Sequence, residues 1–127
     1  MSYYLARTVD LPFDEAIERV TAALAEQGFG ILTEIDVRAT LKKKLDVDFR
    51  PYRILGACNP PFAHRALQTE DKIGTMLPCN VIVQELDGTV EVAAIDPVAS
   101  MQAVGNPALA DLARDVRERL RLALEAL

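Results

Sequence analysis

The two cysteines of the chain stand in similar company. Residues 56–62 read GACNPPF and residues 77–80 read LPCN, so Cys58 and Cys79 are each followed by asparagine. Cys58 closes a strand pattern and comes directly before Asn59-Pro60, a pair suited to opening a helix. A thiol beside a helix N-terminus feels the positive end of the dipole, which raises its reactivity. The backbone N–H groups of such a terminus also attract anions. If Cys79 lies alongside, two thiols flank one small pocket, and Glu34 and Asp96 are the carboxylates that would join it. The plain alternative is packing, because a free cysteine behaves as a small apolar residue. Asn59 and Pro60 likewise have a local explanation. Asparagine at the N-cap accepts a backbone N–H, and proline suits the first helical position.

Other chemistries find little support. A structural zinc site needs four ligands in close spacing. The chain offers two distant cysteines and one histidine, His64, in the middle of a helical pattern, so no metal is expected. Cys58 and His64 are near in sequence, but no third group is in place to orient the histidine. Glycine-rich phosphate loops, nucleophile elbows and HExxH patterns are absent.

The elements that must position these residues follow from periodicity. A strand is predicted over 3–9, then a helix that Pro12 opens and Gly28 ends. Phe13, Ile17, Val20 and Leu24 form its apolar stripe. A strand over 29–37 places Phe29, Ile31, Thr33, Ile35 and Val37 on one face and Leu32, Glu34 and Asp36 on the other. A short helix over 37–45 follows. The strand over 52–58 turns Arg53, Leu55 and Ala57 one way and Ile54, Gly56 and Cys58 the other. A helix over 60–69 and a loop over 70–78 come next.

The clearest element is a hairpin at 79–95, turning at Asp87-Gly88, a pair that favours a type I′ turn. Pairing outward from the turn sets Val83 opposite Val92, Val81 opposite Ala94 and Cys79 opposite Asp96. Val81, Val83, Val90, Val92 and Ala94 then form the core face. Asp96-Pro97 opens a short helix, and Asn106-Pro107 the last one, with a stripe of Leu109, Leu112, Val116, Leu120, Ala123 and Leu127.

The 127 residues fit a single domain over 1–127. The apolar share of 50% and charged share of 26% are those of a soluble globular protein. At 6% aromatic and without tryptophan, the core is mainly aliphatic. A net charge of −5 and the lack of a basic stripe argue against nucleic acid, whose binding rests on neutralising phosphates. Lys42, Lys43 and Lys44 read as a solvated helix face. No apolar run has the length of a membrane span, the first residues lack the zones of a signal peptide, and a cytoplasmic location is expected.

The segments GILTEIDV, YRILGACNPPFA and IGTMLPCNVIVQE, followed by the hairpin, resemble the family catalogued as domain of unknown function 302. The resemblance runs from Tyr3 to the final helix. It implies a compact α+β domain with helices packed on a mostly antiparallel sheet, and a dimer. It supplies no reaction, since the family's function is uncharacterised. Glu34, Cys58, Asn59, Pro60, Pro78 and Cys79 match the family pattern and form the candidate ligand or thiol site.

The order β-α-β-α-β-α-β-β-α-α excludes an all-parallel sheet. A two-layer α+β sandwich is expected, with helices on one face of a mostly antiparallel or mixed sheet. The other face, bearing Ile82, Leu86, Ala93 and Ile95, is then free for a second copy, and a homodimer is expected. Three functions stay open. The first is a binding module for a small molecule or anion near Cys58, Asn59 and Cys79. The second is a thiol-dependent redox or transfer enzyme with Cys58 as nucleophile and Cys79 as resolving thiol. The third is a structural interaction protein without a ligand. No cofactor is specified by any motif.

Overall fold

A computed structural model describes residues 2–127. The elements follow the expected order: β1 (Tyr4–Val9), α1 (Phe13–Glu26), β2 (Gly30–Asp36), α2 (Val37–Leu45), β3 (Tyr52–Cys58), α3 (Pro60–Thr69), β4 (Cys79–Leu86), β5 (Thr89–Ile95), α4 (Pro97–Gln102) and α5 (Ala110–Glu125). Single 3-10 turns lie at Ile73–Met76 and Pro107–Leu109. The five strands form one sheet in the order β1-β5-β4-β3-β2, and every neighbouring pair is antiparallel.

The alternation of β4 and β5 decides which side is covered. Val81, Val83, Val90, Val92 and Ala94 are all buried, and they meet Ala16, Val20 and Leu24 of α1 and Val116, Leu120 and Ala123 of α5. The turn at Asp87 and Gly88 has positive φ at both residues (53° and 77°), as a type I′ turn requires. Val83 faces Val92 and Val81 faces Ala94, the pairs that outward counting predicts. Regular pairing stops there, so Cys79 and Asp96 lie two residues beyond this ladder; on the other edge of β4, Cys79 pairs with Ala57 of β3.

One expected face is wrong. A β-bulge between Ile31 and Thr33 reverses the alternation of β2. Ile31 lies opposite Ala57 and packs on the core, whereas Thr33 lies opposite Gly56 on the far face. Glu34 and Asp36 therefore come to the helical side, where both pair with Arg53 of β3. A bulge adds one residue to one strand, so every later side chain changes face.

α2 buries no residue, and its Lys42 pairs with Asp46 and Asp48 in solvent. On edge strand β1, Arg7 donates to the carbonyl oxygens of Leu124 and Glu125 (3.0 and 2.6 Å). This places a cation at the negative end of α5 and satisfies carbonyls that the helix leaves unpaired. The covered side thus holds a main aliphatic core. A second apolar cluster of Ala66, Ile73, Leu109 and Leu112 lies beside it, with Phe62, Met76, Leu77, Met101 and Val104 against it.

Candidate functional site

The two apolar clusters do not close completely on each other. Between them lies a pocket of about 340 Å³, at the end of the sheet where β3 leaves and β4 enters. Its wall takes Phe29, Ala57 and Val116 from the main core side, and Ala66, Leu109 and Leu112 from the second cluster. Phe62, Leu67, Leu77 and Met101 add further large apolar side chains. Lining of this kind, carbon and sulfur with few polar groups, suits an apolar guest, and the volume falls within the ~300–1,000 Å³ of small-molecule sites.

Both cysteines line this pocket as free thiols. Burial pushes the Cys79 thiol up to about 11, with a smaller contribution from the nearby Cys58 charge. Cys79 is therefore protonated at neutral pH, because taking a thiolate out of water is unfavourable. Cys58 ends β3 and Cys79 begins β4, so the antiparallel pairing of these strands brings the two residues to one end of the sheet.

Asn59 and Pro78 also line the pocket, whereas Glu34 and Pro60 do not. Glu34 is held by Arg53 on β3, away from the wall. Asp96 is also outside the lining. Its carboxylate caps α4 by accepting from the Val98 N–H (2.9 Å) and accepts from Arg117 Nε (2.9 Å). His64 is exposed. Among the described residues, no group of three His, Cys, Asp or Glu side chains is arranged to hold a metal ion.

Asn59 departs from its expected role. It occupies the N-cap position of α3, but its side chain caps nothing. Instead its Nδ2 donates to the carbonyl of Gln27 at the end of α1 (3.2 Å). Gly28 follows with φ +86°, and a Cβ there would meet Asn59 Nδ2 at 2.9 Å. The glycine thus serves both the left-handed turn that ends α1 and the close approach of Asn59. Asn59 joins α1 to the β3–α3 junction and so fixes one wall of the pocket.

The helix-terminus anion site also loses its donors. Pro60 and Pro61 occupy the first two positions of α3 and carry no N–H. Of the N–H groups that a helix start normally leaves free, these two are missing, which weakens any hold on an anion there.

Most of the apolar lining was not singled out from the sequence. The signal was faint: Phe62 and Ala66 are one turn apart on α3, and Leu109 and Leu112 stand in the same stripe as residues of the main core. Nothing in a periodic stripe says that two clusters will stand apart.

No curated protein matches the chain. A crystal structure described as that of an uncharacterized conserved protein DUF302 from Bacillus stearothermophilus is similar over almost the whole length. It superposes with a TM-score of 0.94 at 31% identity, covering 99% of this chain and 98% of that one. The family model described as domain of unknown function DUF302 matches residues 5–127. A five-stranded antiparallel sheet with helices on one side, a chain-long match to that model and the shared structure lead to one assignment: the chain belongs to the DUF302 family.

Proposed function

We propose that this protein is a binding module for a small, largely apolar molecule, held in the pocket between the two hydrophobic clusters. The observation that carries the reading is the pocket itself: about 340 Å³ of space walled by aliphatic, aromatic and sulfur-bearing side chains. A half-open cleft of this size with an almost wholly apolar lining is the usual form of a small-molecule site. A free anion is a poorer guest, because the α3 terminus lacks two N–H donors. The thiol-enzyme reading is weaker in its second step, since the resolving thiol must act as a thiolate and burial keeps Cys79 protonated.

Two further proposals accompany this reading. A cytoplasmic location accords with two unpaired thiols, which persist in a reducing compartment. A homodimer would cover the outer face of the sheet, where Tyr4, Tyr52, Ile82, Ala93 and Ile95 frame a second hollow.

The test is titration with N-phenyl-1-naphthylamine, an uncharged probe whose emission rises in apolar surroundings. Saturable enhancement is expected, together with slower labelling of the cysteines at pH 7. Ala66→Phe should fill the pocket and remove the enhancement while the circular dichroism stays unchanged. Enhancement that survives the filled pocket would place the probe elsewhere and overturn the reading, as would no enhancement at all.

A further inference from the structure

Phe62 is the one aromatic wall residue of the pocket that carries charge beside it. The guanidinium of Arg119 lies 5.5 Å from the centre of its ring and that of Arg65 lies 5.9 Å away. Arg65 projects from α3 and Arg119 from α5, so two separate helices deliver cations to one ring. Of the other eight arginines, Arg53, Arg114, Arg117 and Arg121 form ion pairs, and Arg7, Arg19, Arg38 and Arg50 do not among the described residues. Among the described residues neither Arg65 nor Arg119 pairs with a carboxylate. The polar contact of Arg119 is a long one, 3.5 Å to the Gln27 carbonyl. Neither arginine lines the pocket itself, but most of the ten N–H donors that two guanidiniums carry are left to solvent beside Phe62, which does.

Resting on the binding reading above, we propose that the guest is an amphiphile: an aliphatic chain in the pocket and an anionic head, carboxylate or phosphate, held outside by Arg65 and Arg119. The chain satisfies the carbon-lined interior, and the head satisfies the planar donors that recognise both kinds of anion. Against the chain's net charge of −5, the two guanidiniums bring local positive charge to the Phe62 side of the pocket.

Calorimetric titration with decanoate, decyl phosphate and decanol at low ionic strength tests the assignment. At least one of the two acids should bind about tenfold or more tightly than decanol, the value of a charge-assisted hydrogen bond or two. The tighter of the two identifies the head as carboxylate or phosphate. The double variant Arg65→Gln/Arg119→Gln should lose that preference and leave decanol binding unchanged. Equal affinity for acid and alcohol, or a preference that survives both substitutions, overturns the anionic head while sparing the pocket. If none of the three probes binds, the pocket reading fails and the head falls with it.

Discussion

At the scale of single residues, Cys79 carries the sharpest consequence. Its thiol titrates near 11 in the folded protein against 9.0 in the open chain, because burial disfavours the thiolate. Below pH 9 both states hold the proton and stability is unaffected. Between pH 9 and 11 the unfolded chain releases it and the folded protein keeps it, so stability falls as pH rises through that window. The loss is about 2–3 kcal/mol. Denaturant unfolding across pH 8–11 should show an extra decline in the wild type that Cys79→Ala lacks. Parallel curves for the two proteins would mean that the thiol is not held protonated. Asn59 teaches a related lesson: an asparagine before proline meets the local rule for a cap, yet the side chain serves a different bond.

At the scale of elements, β3 sets how closely its neighbours can pack. Gly56 sits on its outer face, where an added Cβ would come within 2.1 Å of Thr33 Oγ1 and 2.8 Å of the Pro78 ring. The strand can therefore accept no side chain there without displacing β2 or the segment that leads into Cys79. Gly56→Ala should destabilise by about 1–3 kcal/mol, the usual cost of overpacking. Adding Thr33→Ala should recover part of that loss, because it removes the nearer obstacle. A Gly56→Ala protein within about 0.5 kcal/mol of the wild type in denaturant midpoint analysis would show that the junction yields freely. The bulge in β2 belongs to this scale too: it puts Thr33 over Gly56 and sends Glu34 to Arg53.

At the scale of the whole molecule, the sheet is covered on one side and open on the other. An antiparallel sheet that faces water commonly presents a polar outer surface. Here Ile82 and Ile95 are half-buried, Tyr4 and Ile35 are about half exposed, and Gln84 supplies polar contacts to Arg50 and Glu91. Burial of such a face by a second copy fits a two-fold pair. Light scattering at micromolar concentration should give twice the chain mass of 14.0 kDa. Ile82→Glu should return it to one chain mass with unchanged circular dichroism, since a charge at the centre of a self-matched interface meets its own copy. A wild type that scatters as a single chain would remove the dimer.

What could be read from the residues alone was whatever depends on near neighbours in the chain. The hairpin at 79–95, its register and its core face follow from Asp87-Gly88 and strict alternation. The helix stripes follow from spacings of three and four, and the segments ILGACNP and LPC were enough for the family. The pairing of Cys58 with Cys79 at one pocket was available only as a guess, and Glu34 and Pro60 were placed there without reason to separate them. Tertiary structure decided the bulge that turned Glu34 away, the bond that drew Asn59 to Gln27, and the gap between two clusters that makes the pocket. Each of these depends on which distant surfaces come into contact and how well their shapes match, and periodicity along one segment carries no information about the shape of another.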